Sequence, residues 1–97
     1  MLHTINQSPF RGNNLTSCIR FAQPDDPILF MEDGVYAAQN GNKFSELISK
    51  LAKTNPLFTL TPDVKARGIQ KVHADVKQID YDGFVKLVEE HQVNSWL

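Results

Sequence analysis

Apolar and polar residues recur along this chain with two different periods, and the switches between them outline its elements. Leu2 to Ile5 reads as a first strand, closed by the turn formers Ser8, Pro9, Gly12, Asn13 and Asn14. Leu15, Cys18, Ile19 and Ala22 then follow at i, i+3, i+4 and i+7, one face of a helix that Asn13 or Asn14 can cap. Gln23-Pro24-Asp25-Asp26-Pro27 stops that helix. Next comes Ile28-Leu29-Phe30-Met31, an apolar run with no polar alternation, which halts at Glu32, Asp33 and Gly34. Periodicity alone does not separate a buried strand from a buried helix. The shortness of the run, with Pro27 before it and Gly34 after it, points to a central strand covered on both faces.

The connection from Glu32 to Asn42 is longer than most loops, and such loops are often functional. Asn42 is placed to cap a helix with the apolar face Phe44, Leu47, Ile48 and Leu51, which Asn55-Pro56 ends. Leu57 to Leu60 reads as a third strand. Thr61-Pro62-Asp63 is a helix start, with Thr61 as N-cap, Pro62 in the first turn and Asp63 favoured by the dipole. Val64 to Arg67 forms a brief helix, and Gly68 suits the left-handed position that closes it. Val76 to Ile79 is a fourth strand. Asp80 caps a last helix whose apolar face includes Phe84, Leu87 and Val88, and the tail carries Trp96 and Leu97.

Strands alternating with helices predict an α/β fold. The sheet is expected to be mostly parallel, with four to five strands, right-handed crossovers and helices on both faces. No repeat or linker divides the chain, so a single domain over residues 1–97 is expected. At 97 residues it buries roughly two thirds of its unfolded surface, so stability is modest and lost partners are felt.

Composition narrows the function more than it identifies it. Ten basic and eleven acidic residues leave a formal net charge of -1, without a block of one sign. Lys43, Lys50, Lys53, Lys65, Arg67 and Lys71 bias the middle of the chain only mildly, as a solvated face does. A direct nucleic-acid site is not expected, because such affinity rests on many Lys and Arg neutralising phosphates. The segment Met1-Leu2-His3-Thr4-Ile5 has neither a basic leader nor a long apolar core, so no signal peptide is expected. No run approaches the roughly 20 apolar residues of a membrane span. One cysteine makes no internal disulfide, and the expected setting is a reducing one, the cytoplasm.

Candidate chemistry is sparse. Cys18 is the only thiol and hence the only candidate catalytic thiol nucleophile. It shares a helical face with Leu15, Ile19 and Ala22, which favours plain packing. Glu32, Asp33 and Tyr36 stand in the loop at a strand's carboxyl end, where parallel sheets meet ligands and partners. Asp33-Gly34 is read as a turn rather than half of a Mg²⁺ site. His3, His73 and His91 lack zinc spacing, so neither a metal nor a cofactor is expected, and structural roles are favoured. Arg67 has two readings, a helix C-terminal cap or an ion pair across a subunit interface. Trp96 and Leu97 also have two, an anchor for a partner or packing onto the chain's own last helix.

Several segments, in order, carry a family resemblance. They are Leu2-His3-Thr4-Ile5, Ser8-Pro9-Phe10, Glu32-Asp33-Gly34-Val35-Tyr36-Ala37-Ala38, Ala66-Arg67-Gly68, Ile79-Asp80-Tyr81 and Phe84-Val85. Together they resemble the TusB/DsrH family of sulfur-relay subunits over nearly the whole chain. The resemblance implies a DsrE-like three-layer sandwich related to flavodoxin-like folds. It implies assembly with TusC-like and TusD-like subunits into a heterohexamer built from two trimers. Such a complex takes persulfide sulfur from TusA and passes it toward TusE, for 2-thiouridine at the tRNA wobble position. In sulfur oxidisers the corresponding DsrEFH complex serves dissimilatory sulfur metabolism, and that alternative stays open. The family's sulfur-carrying cysteine sits on the TusD/DsrE subunit after a central strand. Here the segment after Leu57 to Leu60 is Thr61-Pro62-Asp63, without a thiol. The resemblance therefore implies an accessory subunit. The remaining readings are a stand-alone persulfide carrier using Cys18, and an isolated chain that forms homo-oligomers.

Overall fold

The computed structural model describes all residues, Met1–Leu97. Five strands form one sheet: β1 (Leu2–Ile5), β2 (Ile28–Phe30), β3 (Leu57–Leu60), β4 (Lys77–Ile79) and β5 (Val93–Trp96). Their order is β4-β3-β2-β1-β5, and every neighbouring pair is parallel. The helices are α1 (Asn14–Phe21), α2 (Ser45–Leu51), α3 (Thr61–Ala66) and α4 (Tyr81–Glu90). The long connection after β2, expected as a loop, opens with a 3-10 helix, Glu32–Ala38.

The topology follows from right-handed crossovers. From β1 to β4 the chain steps one way across the sheet, and the return from β4 to β5 runs the other way. The outward crossovers and the return crossover therefore lie on opposite faces. Residues i and i+2 of a strand share a face, so each face draws on alternate strand residues. Ile5, Ile28, Phe30 and Leu57 pack with Leu15 and Cys18 of α1 and Ile48 and Leu51 of α2. On the other face Leu2, Leu29 and Leu60 are fully buried, beneath Phe84 and Leu87 of α4. That second layer is thin, because α4 alone covers it and none of its residues is fully buried. Val88, expected on the inward face, is 40% exposed and turns to solvent with Tyr81 and Val85.

Several expected caps resolve differently. Asp80 does cap α4, accepting from the Gly83 N–H at 2.9 Å. Neither Asn13 nor Asn14 caps α1: the Asn13 side chain makes no cap bond, and the Asn14 Nδ2 is buried without a partner. Thr61 lies inside α3, with Leu60 at the cap position. Asn42 precedes α2 by three positions and closes a turn instead, its Oδ1 accepting from the Phe44 N–H at 2.8 Å. Gly68 adopts a φ of +68°, which ends α3 as expected.

The tail departs most from the sequence reading. Val93–Trp96 is a fifth strand, level with β1 residue for residue, Leu2 with Val93 through Ile5 with Trp96. Trp96 lies on the face of Ile5 and His3, opposite α4, so it does not pack on the last helix. Its Nε1–H donates to the His3 Nδ1 at 3.2 Å, and its ring meets Phe21 edge-on at 5.9 Å. His3 is fully buried, and its Nε2 stands 3.0 Å from Asp26 Oδ2. Because Nδ1 accepts from the indole, the ring hydrogen sits on Nε2 and points at the carboxylate.

Candidate functional site

The carboxyl ends of β1, β2 and β3 carry a surface assembled from three segments. After β1, the Phe10 N–H donates to Ser8 Oγ at 3.2 Å and the Arg11 N–H to Ser8 O at 3.1 Å. This folds Ser8 to Arg11 into a turn that leaves Phe10 exposed. After β2, the 3-10 helix begins with Glu32 at a φ of +50°, an uncommon backbone for a non-glycine residue. After β3 comes α3.

The third segment holds the second. The Glu32 N–H donates to Asp63 Oδ2 at 2.7 Å. Arg67 Nε donates to Asp33 Oδ1 at 2.8 Å, and its guanidinium reaches the Asp63 carbonyl at 3.3 Å. Val35, Val64 and Ile69 join the two segments beneath these polar contacts. The far end of the 3-10 helix is pinned too: the His73 N–H donates to Ala38 O at 2.7 Å and the Asn40 N–H to Lys71 O at 2.9 Å. Gly34 makes the inner contact. A β-carbon there would fall on the carbonyl oxygen of Ile5, so only glycine lets the segment lie against the end of β1.

Ser8, Phe10, Arg11, Asp33 and Tyr36 line an open cleft of about 340 Å³ between these segments. Beside it Phe10 meets Phe44 edge-on at 5.0 Å, and the Lys43 Nζ stands 5.6 and 5.3 Å from the two ring centres. The rim is therefore mixed in character. Asp33 and Arg67 neutralise each other, Glu32 and Arg11 have no ion-pair partner, and Phe10 offers exposed apolar area. Fixed charges of both signs around an exposed aromatic ring suit recognition of a protein surface better than covalent chemistry.

Of the residues singled out from sequence, Glu32, Asp33, Tyr36 and Arg67 meet here. Asp33 and Arg67 are 34 positions apart, which no local pattern reveals. Asp63 stands in the first turn of α3, as its helix-dipole reading expects, and its Oδ2 also accepts from the Glu32 N–H. Phe10, Arg11 and Lys43 were missed as contributors, and the one available signal was an apolar residue exposed among turn formers. Trp96 and Leu97 lie apart, at the sheet's edge. Leu97 is 85% exposed.

Cys18 lies elsewhere, fully buried in the α1 face of the core. Burial, with a smaller contribution from the charge of Asp26, pushes its thiol up to about 12, so it carries essentially no thiolate at neutral pH. His73 is also buried. Its Nδ1 accepts from the Asp75 N–H at 3.0 Å, and its Nε2 lies 2.8 Å from Ser49 Oγ and 3.1 Å from Ser45 O, which ties α2 to the turn before β4. No three His, Cys, Asp or Glu side chains are grouped to hold a metal ion. No helix is long and apolar enough to cross a membrane.

Asp26 forms a second polar centre, beside β1 and β2. It bonds the His3 ring, the Gln23 N–H at 3.0 Å and the amino terminus at 3.1 Å. Desolvation would raise its carboxyl. The hydrogen bonds from His3, Gln23 and the terminal ammonium, with that ammonium's charge, outweigh it and hold the group down to about 2. A cleft of about 560 Å³ adjoins it, lined by Met1, Arg20, Phe21, Gln23 and Asp26.

Comparison with known proteins places the chain. Residues 7–94 match the family described as DsrH like protein. Protein TusB of Pectobacterium parmentieri is 36% identical over 98 residues, covering 99% of this chain and all of that one. Protein TusB of Klebsiella pneumoniae is 36% identical over 92 residues, 94% of each chain. Among solved structures, the ychN protein of E. coli superposes with a TM-score of 0.82 at 16% identity, over 97% of both chains. A Methanobacterium thermoautotrophicum protein of unknown function superposes with a TM-score of 0.74 at 14% identity, over 97% of this chain and 95% of that one. At such identities the two structures speak for the fold alone.

Proposed function

The chain belongs to the DsrH-like family that includes protein TusB, and from that membership we propose that it is an accessory subunit of a TusBCD-type sulfurtransferase complex. In this reading it joins TusC-like and TusD-like subunits in a dimer of trimers. The complex relays persulfide sulfur from TusA toward TusE, for 2-thiouridine at the tRNA wobble position. The protein folds as one domain over residues 1–97 and works in the cytoplasm. It contributes surface rather than a nucleophile. Glu32, Asp33, Tyr36 and Arg67, with Phe10 and Arg11, dock beside the cysteine of a partner.

The observation that carries this reading is the state of Cys18. A sulfur carrier attacks a donor persulfide through a thiolate that solvent can reach. The only thiol here is buried in the core and held protonated up to about 12. A stand-alone carrier would have to open that core at every turnover. The carboxyl-end surface supplies the complementary half of the reading, with a rigid frame and exposed side chains of both signs.

The test is assembly. Tagged chain is co-expressed with the TusC-like and TusD-like proteins of its own host and isolated. Wild type is expected to retain both. The charge reversals Arg67→Glu and Glu32→Lys are expected to lose at least one while the isolated chain still folds, by circular dichroism. Retention of both partners by both variants would remove this surface from the assembly.

A further inference from the structure

The geometry points to β5 as a homotypic pairing edge, at which a second copy of this chain adds antiparallel about a two-fold axis through Ser95. This stands on the sheet edge alone and does not rest on the relay reading. β4 and β5 end the sheet on its two sides, and the two edges differ. β4 has three residues, two of them the exposed polar Lys77 and Gln78, the kind of edge that resists pairing. β5 has four residues, an unbroken register with β1, and neither lysine nor proline.

The outward backbone groups of β5 can be assigned. The Leu2 N–H donates to Gln92 O at 2.7 Å, and Leu2 is level with Val93. In a parallel ladder this turns the Gln92 carbonyl, both Asn94 groups and the Trp96 N–H toward β1. The N–H and C=O groups of Val93 and Ser95 then point out of the sheet, where no strand meets them, and an extended continuation past Trp96 turns the Leu97 groups the same way. Such a row is completed by an extended chain.

The side chains say which extended chain fits. Val93 is level with Leu2, and Leu97, the residue after β5, continues the strand's alternation onto the same face; the two are 43% and 85% exposed. An axis through Ser95 sets Ser95 opposite its own copy and each Val93 opposite the other Leu97. All three are then hydrogen-bonded pairs built from the outward groups. The two exposed apolar residues cover each other twice by symmetry. On the opposite face Trp96 falls across from Asn94, with the exposed Phe21 ring leaning on it. An axis through Asn94 would set Val93 against Ser95 and push Leu97 past the start of the strand. A four-residue edge is small beside the ~800 Å² per partner of a standard interface, so the dimer is weak and concentration-dependent.

Sedimentation of the pure chain over a concentration series, with amide exchange at matched concentrations, tests this. The sedimenting mass is expected to double as concentration rises. Protection is expected to increase at the Val93, Ser95 and Leu97 amides and to stay constant at Asn94 and Trp96. Ser95→Pro removes an outward N–H together with the Ser95 Oγ that accepts from Thr4 Oγ1 at 3.2 Å, and is expected to abolish dimerisation; Ser95→Ala, which removes the same hydroxyl and keeps the N–H, is expected to preserve it. Should the proline variant fail to fold, the double variant Val93→Lys, Leu97→Lys supplies the same loss by charging the edge. A monomer at every concentration overturns the inference, as does a dimer that survives the proline or paired-lysine change. Protection of Ser95 that arises only on adding a different subunit also overturns it, since the edge then belongs to a foreign strand.

Discussion

Replacing Gly34 with alanine is expected to cost more than any other single methyl group added to this chain's glycines. The new β-carbon would overlap the Ile5 carbonyl oxygen and lie 2.8 Å from its carbon, and both are backbone atoms at the buried end of β1. Neither side can retreat cheaply. The Ile5 carbonyl accepts the Met31 N–H at 3.0 Å, and the Gly34 N–H is itself bonded to Met31 O at 2.8 Å. Overpacking of this kind costs about 1–3 kcal/mol. Weakening one or both hydrogen bonds adds roughly 0.5–1.5 kcal/mol each. The reduced freedom of the unfolded chain returns about 0.4–1 kcal/mol. The net expectation is a loss of about 2–4 kcal/mol, a large share of the ~5–15 kcal/mol available to a small domain. Gly12→Ala is the matched control. Its β-carbon also meets atoms, but they are the amide end of the Gln7 side chain, which can swing away. Urea unfolding followed by circular dichroism reads both variants. A Gly34→Ala cost below about 0.5 kcal/mol, or a cost equal to that of Gly12→Ala, would show that the 3-10 helix is not seated on β1 as described.

Three further outcomes follow from the same contacts. Asp26 has its carboxyl lowered from 3.8 to about 2, so its contribution is complete above about pH 4 and is lost as pH falls through 2. Discounted for solvent screening, that contribution is about 1–2 kcal/mol, and Asp26→Asn should lower stability at neutral pH and flatten its acid limb; a variant with an unchanged acid limb would remove the His3–Asp26 contact from the account. Native Cys18 should resist alkylation at pH 8 and react fully in denaturant, and labelling of the folded chain within minutes would contradict its burial. Arg67→Ala should cost under ~1 kcal/mol of stability, because Asp33 is largely exposed, yet weaken complex assembly; a loss of several kcal/mol in thermal unfolding would make the pair structural instead.

The parts of this fold that could be read from sequence are those whose signal is local. Ile28 to Phe30 and Leu57 to Leu60 read as buried strands because both faces are covered, which makes a continuous apolar run. Asp80 and Gly68 read as helix boundaries because capping chemistry is confined to a few neighbouring residues. β5 did not read as a strand. An edge position leaves Val93 and Ser95 exposed between half-buried Asn94 and Trp96, so neither an apolar run nor a clean alternation survives. Val88 reads as inward from helical spacing, which does not show how little of α4 the sheet covers. The site was legible by half. Glu32, Asp33 and Tyr36 stood out at a strand end, but the Asp63 and Arg67 contacts that shape them depend on β2 and β3 being neighbours. His3 reads from sequence as structural, whereas its partners Asp26 and Trp96 are 23 and 93 positions away.

The accessory-subunit reading stands or falls on where the relayed sulfur resides. The reconstituted complex is loaded with persulfide from a TusA donor, quenched by alkylation, and each subunit is weighed intact. The account predicts an added sulfur atom on the TusD-like partner, none on this chain, and unchanged loading when Cys18→Ser replaces wild type. Sulfur recovered on Cys18, or loading abolished by Cys18→Ser in an assembled complex, would make this chain the carrier and contradict the account.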